Sequence, residues 1–165
     1  MLRIITTGPE SSGKTTLCKS LSSHFNISFS KEYAREYLQK IDRNYTQEDL
    51  IIIAKGQLKS EKNYTLLDTD LITIKIWSHY KYGSCDKWIL DEIEKQKTEK
   101  RFYLLCNPDI PWQEDNQREN PNDRNDLFEI YKKEIGRLGH NYFIVEGGNR
   151  TENSISKISP LISLI

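Results

Sequence analysis

A mostly apolar run, Leu2-Arg3-Ile4-Ile5-Thr6-Thr7, passes straight into Gly8-Pro9-Glu10-Ser11-Ser12-Gly13-Lys14-Thr15-Thr16-Leu17, and no other junction restricts the chain as much. The segment fits G-x-x-x-x-G-K-[ST] in full. The run before it reads as a buried strand, and Leu17, Leu21 and Phe25 after it recur at helical spacing. Strand, glycine loop and helix in that order make a phosphate cradle. Gly8 and Gly13 allow backbone conformations that aim successive N–H groups inward at a helix N-terminus. Lys14 then reaches the outer phosphates of a nucleoside triphosphate, and the Thr15 hydroxyl joins a magnesium shell. Gly8 to Thr16 are thus the expected nucleotide-holding residues.

The rest of the chain reads as an alternation. Asn26–Ser30, Thr65–Asp68 (TLLD), Phe102–Cys106 and Tyr142–Val145 are further strand candidates. Helices are expected at 32–40, from Thr46 with a Thr46/Asp49 capping box, at 70–82, and from Ser84 or Asp86 to about Gln96. Two more follow. One opens on an Asn120–Pro121 cap pair with Leu127, Phe128, Tyr131, Ile135 and Leu138 on one face. The other runs from near Thr151 and stops before Pro160. Five strands separated by helices predict an α/β domain with a five-stranded parallel sheet and helices on both faces, spanning residues 1–165. The polar stretch from Asn107 to Asp126, rich in Asn, Asp, Glu and Pro, reads as a lid.

Charge removes whole classes of partner. The 24 basic and 24 acidic side chains cancel, leaving no global field to attract nucleic acid or a membrane surface. A local site for a small molecule is the expectation, and the sequence leaves oligomeric state open, including where the apolar tail Leu161–Ile165 packs. Three cysteines without metal-ligand spacing fit a reduced compartment. With no leader-like N-terminus and no apolar stretch near 20 residues, a cytoplasmic location follows as an expectation.

The phosphate loop alone does not name a reaction, so the residues around it matter more. Asp68 ends the TLLD strand, where open parallel sheets bind ligands, and suits a carboxylate that orients magnesium. Asp70 has two open roles that can coexist, substrate contact or base on the one hand and helix cap on the other. Glu32 and Arg35 are three residues apart after the second strand, so a helix puts them on one face at the same sheet edge. There Glu32 is a candidate to deprotonate an acceptor hydroxyl. Arg118 and Arg124 flank Pro121 in the lid and are candidates to stabilise charge on a transferring phosphoryl group. Among the aromatics, Trp77, Tyr80 and Tyr82 follow the acidic pair and Trp112 lies in the lid, all able to stack a planar ring. A guanine-reading N-K-x-D is missing after the fourth strand, where the chain reads Asn107-Pro108-Asp109.

Taken together, GPESSGKTTL (8–17), EYAREYL (32–38), IAKGQ (53–57), DTDLITIKIW (68–77), YKYG (80–83) and LLCNPDIPWQEDNQRE (104–119) resemble one family. It is the ribosylnicotinamide kinase domain at the C-terminus of NadR-type proteins of NAD metabolism, with its stand-alone relatives. The resemblance runs from about residue 3 to 158. It implies a P-loop fold like that of the nucleoside monophosphate kinases and transfer of the ATP γ-phosphate to the 5′-hydroxyl of nicotinamide riboside. By the same resemblance Gly8 to Thr16 hold ATP and Mg²⁺, Glu32, Arg35, Asp68 and Asp70 line the riboside and metal site, and Arg118 and Arg124 belong to the lid. Because the phosphate loop begins at residue 8, no DNA-binding or adenylyltransferase module is expected before it.

The chain departs from the family at one informative place. Well-known members carry a tryptophan before the EYxRE segment that helps sandwich the nicotinamide ring, and here the residue is Lys31. The change removes about 1 kcal/mol of stacking and sets a cation near a cationic ring. Tyr33, Tyr80, Tyr82 and Trp112 are the candidates to replace the platform. Nicotinamide riboside therefore competes with another nucleoside or a nucleoside monophosphate as acceptor, and an ATP-driven regulatory module remains the non-metabolic alternative.

Overall fold

The structure, a computed structural model, describes residues 1–163. Five strands form one parallel sheet: β1 (Arg3–Thr7), β2 (Phe29–Ser30), β3 (Leu66–Asp68), β4 (Arg101–Cys106) and β5 (Asn141–Val145), in the order β2-β3-β1-β4-β5. Helices α1 (Lys14–Phe25), α2 (Tyr33–Lys40), α3 (Gln47–Ser60), α4 (Leu71–Tyr82), α5 (Lys87–Lys95), α6 (Arg124–Arg137) and α7 (Arg150–Ile162) fill the connections.

Strand side chains alternate between two cores, as a pleat of period two requires. Ile5, Leu67, Tyr103 and Leu105 point into the larger one, with α3, α4, α5 and α6. Ile4, Leu66, Leu104 and Cys106 point into the smaller one, with α1 and α7. Burial on both faces explains why these strands read as continuous apolar runs. β1 is central, and the chain leaves it first toward β2 and β3 and later toward β4 and β5. The turn after β1 therefore opens at the switch point of the sheet.

Three boundaries differ from the sequence reading by more than one residue. Only Phe29 and Ser30 of the 26–30 stretch pair, because Asn26 takes a left-handed conformation (φ 51°) and ends α1. The Asn120–Pro121 pair does not open α6, which starts at Arg124. The Asn120 N–H instead donates to the Glu10 carboxylate (2.9 Å), holding this segment on the phosphate loop. α7 continues through Pro160 to Ile162. Pro160 is exposed in the last turn, while Ile158 and Ile162 on the opposite side pack into the smaller core and keep the helix going. Of the apolar tail, Leu164 and Ile165 lie outside the described residues. No helix among the described residues is long and apolar enough to cross a membrane.

One polar cluster is sealed inside the protein. Arg101 is fully buried and forms ion pairs with Asp70 (3.2 Å), Glu61 (3.2 Å) and Glu99 (2.9 Å), while the Tyr103 hydroxyl donates to Asp70 (2.7 Å). Carboxylates outnumber the arginine. Burial pushes the Glu61 carboxyl up to about 7 against the opposing pull of Arg101, and its Oε1 has no partner among the described residues. A carboxyl that binds its proton more tightly folded than unfolded adds stability fully below its unfolded pKa. That contribution is lost as pH rises through about 7. Glu61→Gln is expected to flatten stability against pH over this window, read as midpoints of denaturant unfolding. A variant whose stability declines with pH as steeply as the parent's contradicts the assignment.

Candidate active site

The loop between β1 and α1 closes tightly over the sheet. Gly8 has φ 133°, and a Cβ there would lie 2.6 Å from the Cys106 carbonyl oxygen at the end of β4, so only glycine lets the loop begin. Ser12 Oγ donates to the Pro9 carbonyl (2.7 Å), and Lys14 Nζ folds back onto the same carbonyl (2.7 Å). The lysine thus crosses the mouth of the nest. Parallel pairing sets Thr6 beside Asp68, which brings the Asp68 carboxylate to the start of α1, where the Thr15 hydroxyl donates to it (2.7 Å). Burial raises the Asp68 pKa, opposed by the Thr15 hydrogen bond and by Lys14.

Across the cleft, Glu32 and Arg35 share one face of the α2 start, with Arg35 Nε 3.4 Å from the Glu32 carboxylate. Burial raises the Glu32 pKa, with Lys14 the largest opposing influence. The α2 start is fixed against α3 by two residues of the IAKGQ stretch. Gln57 Oε1 accepts the Tyr33 N–H (2.9 Å), and a Cβ on Gly56 would overlap the Tyr33 ring. The glycine thus lets the ring lie on the helix backbone.

A cavity of about 170 Å³ joins the two halves. The loop and Lys14 line one side, Glu32 and Arg35 the other, Thr73, Trp77 and Tyr131 form an inner wall, and Gln113, Gln117 and Arg118 make the roof. The Tyr131 hydroxyl donates to Thr73 (3.2 Å), locking the wall between α4 and α6. The roof belongs to the polar segment expected as a lid. Its Asp115 pairs with Arg35 (2.9 Å), and the Arg124 guanidinium donates to the carbonyls of Ser11 (3.1 Å) and Ile110 (3.0 Å). Arg118 donates to the Gln113 carbonyl and approaches Ser11 Oγ at 3.4 Å.

Some candidates lie elsewhere. Asp70 is wholly enclosed, caps α4 through the Ile72 N–H (3.1 Å), pairs with Arg101 and is not among the cavity's lining residues. Tyr33, Tyr80, Tyr82 and Trp112 are not among the cavity's lining side chains. The Tyr33 ring stacks on Tyr37, Tyr80 donates to Asp123 (2.6 Å) and Tyr82 donates to the Tyr45 carbonyl (2.9 Å). Trp112 has Arg118 and Arg124 over its ring at 6.0 and 5.7 Å, which steers both guanidiniums. Lys31 is exposed, and the aromatic surface of the cleft comes from Trp77 and Tyr131. Sequence reasoning also passed over Arg150, which donates to the carbonyls of Ser12 (2.7 Å) and Asn107 and pairs with Asp109. Its one local signal is a cation in the first turn of a helix, where the dipole disfavours it.

Loop, neighbouring strand-end carboxylate and open parallel sheet define a P-loop NTPase fold of the nucleoside monophosphate kinase type. A family model described as "AAA domain" matches residues 3–152, and the chain belongs to that family. No curated protein matches the chain. Among solved structures it is similar to a NadR protein in complex with NR, at 20% identity, TM-score 0.74, covering 96% of this chain and 50% of that one. A NadR protein in complex with NAD and AMP-PNP gives 22%, 0.70, 96% and 49%. The deoxyadenosine kinase from M. mycoides with bound dCTP gives 14%, 0.60, 99% and 99%. The chain spans about half the length of the NadR chains it matches.

Proposed function

We propose that the protein is an ATP-dependent small-molecule kinase that phosphorylates the 5′-hydroxyl of a riboside, with nicotinamide riboside the preferred acceptor. The observation that carries the reading is the make-up of the cavity lining. A phosphate nest with Lys14 and Thr15 shares one cavity with the carboxylate of Glu32, under a roof that contributes Arg118. The neighbours that bind NR, NAD and AMP-PNP, or dCTP support the class of ligand.

The residues at the nest fit magnesium. Thr15 Oγ1 and Asp68 present hard oxygens 2.7 Å apart, and no cluster of three or more acidic, histidine or cysteine ligands occurs among the described residues. One carboxylate and one hydroxyl suit an ion that keeps water and shares phosphate oxygens. When bound, Mg²⁺ neutralises charge on the phosphates. Lys14, released from the Pro9 carbonyl, holds the outer phosphates, and Arg118 from the roof answers the charge that develops between donor and acceptor, while Arg124, outside the cavity lining, ties the lid to the loop through the Ser11 and Ile110 carbonyls. The acceptor oxygen bonds to the γ-phosphorus as the bond to the β-phosphate oxygen breaks. ADP leaves, and the hydroxyl proton passes to Glu32. A glutamate whose pKa is raised by burial holds that proton better than an ordinary one.

Arg35, which lines the cavity beside Glu32, is engaged by both Glu32 and Asp115. This favours an acceptor without a phosphate over a nucleoside monophosphate. The test is product mass: with ATP, Mg²⁺ and nicotinamide riboside the riboside gains one phosphoryl group. Because protonated Glu32 cannot act as base, turnover falls as pH drops through its raised pKa. Glu32→Gln removes that limb and lowers turnover by roughly a hundredfold. A panel of ribosides that yields no phosphorylated product would sink the reading.

A further inference from the structure

An anion-binding loop has no electrostatic reason to carry a carboxylate, yet this one presents Glu10 in the cavity lining. The carboxylate is taken up by the lid. Its Oε2 accepts the backbone N–H of Glu119 (3.0 Å) and of Asn120 (2.9 Å), with the Asn120 side-chain amide at 3.5 Å. Its neighbour Ser11, held at the left-handed φ of 52°, takes the other contacts. Ser11 Oγ accepts the Gln113 N–H (2.9 Å), and its carbonyl accepts from Arg124. Lid residues on both sides of Arg118 are thereby fastened to the phosphate loop.

The geometry points to Glu10 as a positioning residue, a latch that fixes the lid on the phosphate loop so that Arg118 faces the transferring phosphoryl group. Its placement of Arg118 for catalysis rests on the kinase reading above, whereas the latch itself stands on the hydrogen bonds. Two backbone N–H groups converging on one charged oxygen are stronger than neutral bonds and favour one lid position. The negative charge is thus answered by lid amides and kept off the phosphates. Glu119 is held from its other end as well, by Lys81 (2.8 Å) and the Tyr45 hydroxyl (2.8 Å). With Asp115 on Arg35, the lid spans the donor and acceptor halves.

The experiment compares the full chain with Glu10→Gln and Glu10→Ala. Glutamine retains an acceptor oxygen without the charge, and alanine removes both. Amide hydrogen exchange at Glu119 and Asn120 is expected to quicken by about fivefold or more in Glu10→Ala and less in Glu10→Gln, with the amides of β1 and β4 unchanged. Equal exchange at both amides in all three proteins overturns the latch. On the kinase reading, turnover in Glu10→Ala falls about tenfold while the KM for ATP moves less than about threefold. In an Arg118→Ala background the Glu10 substitution then has little further effect. A change confined to the KM for ATP, or effects that simply add, overturns the positioning role. A parent chain with no transferase activity would fail the functional reading alone, because the exchange comparison needs no turnover.

Discussion

Arg101→Met is expected to destabilise the fold by about 3–5 kcal/mol, the range for removing one partner of a buried charge cluster. Asp70 and Glu61, 0% and 1% exposed, are left without their common counter-ion, and only Asp70 retains a hydroxyl donor in Tyr103. For a chain of 165 residues that loss lowers the melting midpoint by roughly 6–20 °C. The cost arises from the stranded carboxylates rather than from any special strength of the pairs. Replacing Arg101, Asp70 and Glu61 together with apolar residues of similar volume should therefore recover much of the loss. Chemical denaturation of the single and triple variants measures both. A single variant within about 1 kcal/mol of the parent contradicts a cluster that depends on Arg101.

The second large effect falls on activity. Lys14→Ala is expected to lower phosphoryl transfer by about a thousandfold or more, since no other lysine among the described residues lines the cavity and phosphoryl transfer depends on positioning and charge neutralisation. Stability should change by less than about 1 kcal/mol, because the side chain is only partly buried and its hydrogen bond is to the Pro9 carbonyl. Steady-state kinetics with parallel thermal unfolding separates the two. Turnover retained within about tenfold of the parent excludes Lys14 from the phosphate site.

What could be read from the sequence was what is local. The loop, its preceding strand and its following helix are contiguous, so composition and periodicity specify them together. The Thr46/Asp49 cap is likewise local, and the Thr46 N–H donates to the Asp49 carboxylate (2.7 Å). The Glu32–Arg35 pair follows from helical spacing alone. The partners that complete the site come from far along the chain. Arg35 meets Asp115 across 80 residues, and Glu10 meets Asn120 across 110. Neither pairing leaves a trace in a window of sequence.

Of the inner wall, Trp77 stood among the stacking candidates, but Tyr131 and Thr73 were hidden for a different reason. Tyr131 falls on the apolar stripe of its helix and Thr73 one turn before Trp77, and a 3.6-residue period does not separate a core position from a cavity wall. Asp70 was ambiguous because its partner, Arg101, is a charged residue at the first position of a strand, where it reads as loop. The lid helix began three residues later than Pro121 suggested, since Glu10 draws the Asn120 N–H and Tyr80 occupies the Asp123 carboxylate. At the start of the lid helix, long-range polar contacts outweighed a local signal.

The central claim is that one cleft holds a phosphoryl donor at Lys14 and a hydroxyl acceptor at Glu32. Its most direct test follows both products of the γ-phosphate at once, with ATP and Mg²⁺ in the presence and absence of nicotinamide riboside. The account predicts that ADP appears only as fast as phosphorylated riboside, one for one, and that ADP release without riboside is slower by at least about a hundredfold. ADP release at the same rate with or without any riboside, and no phosphorylated product, would contradict it.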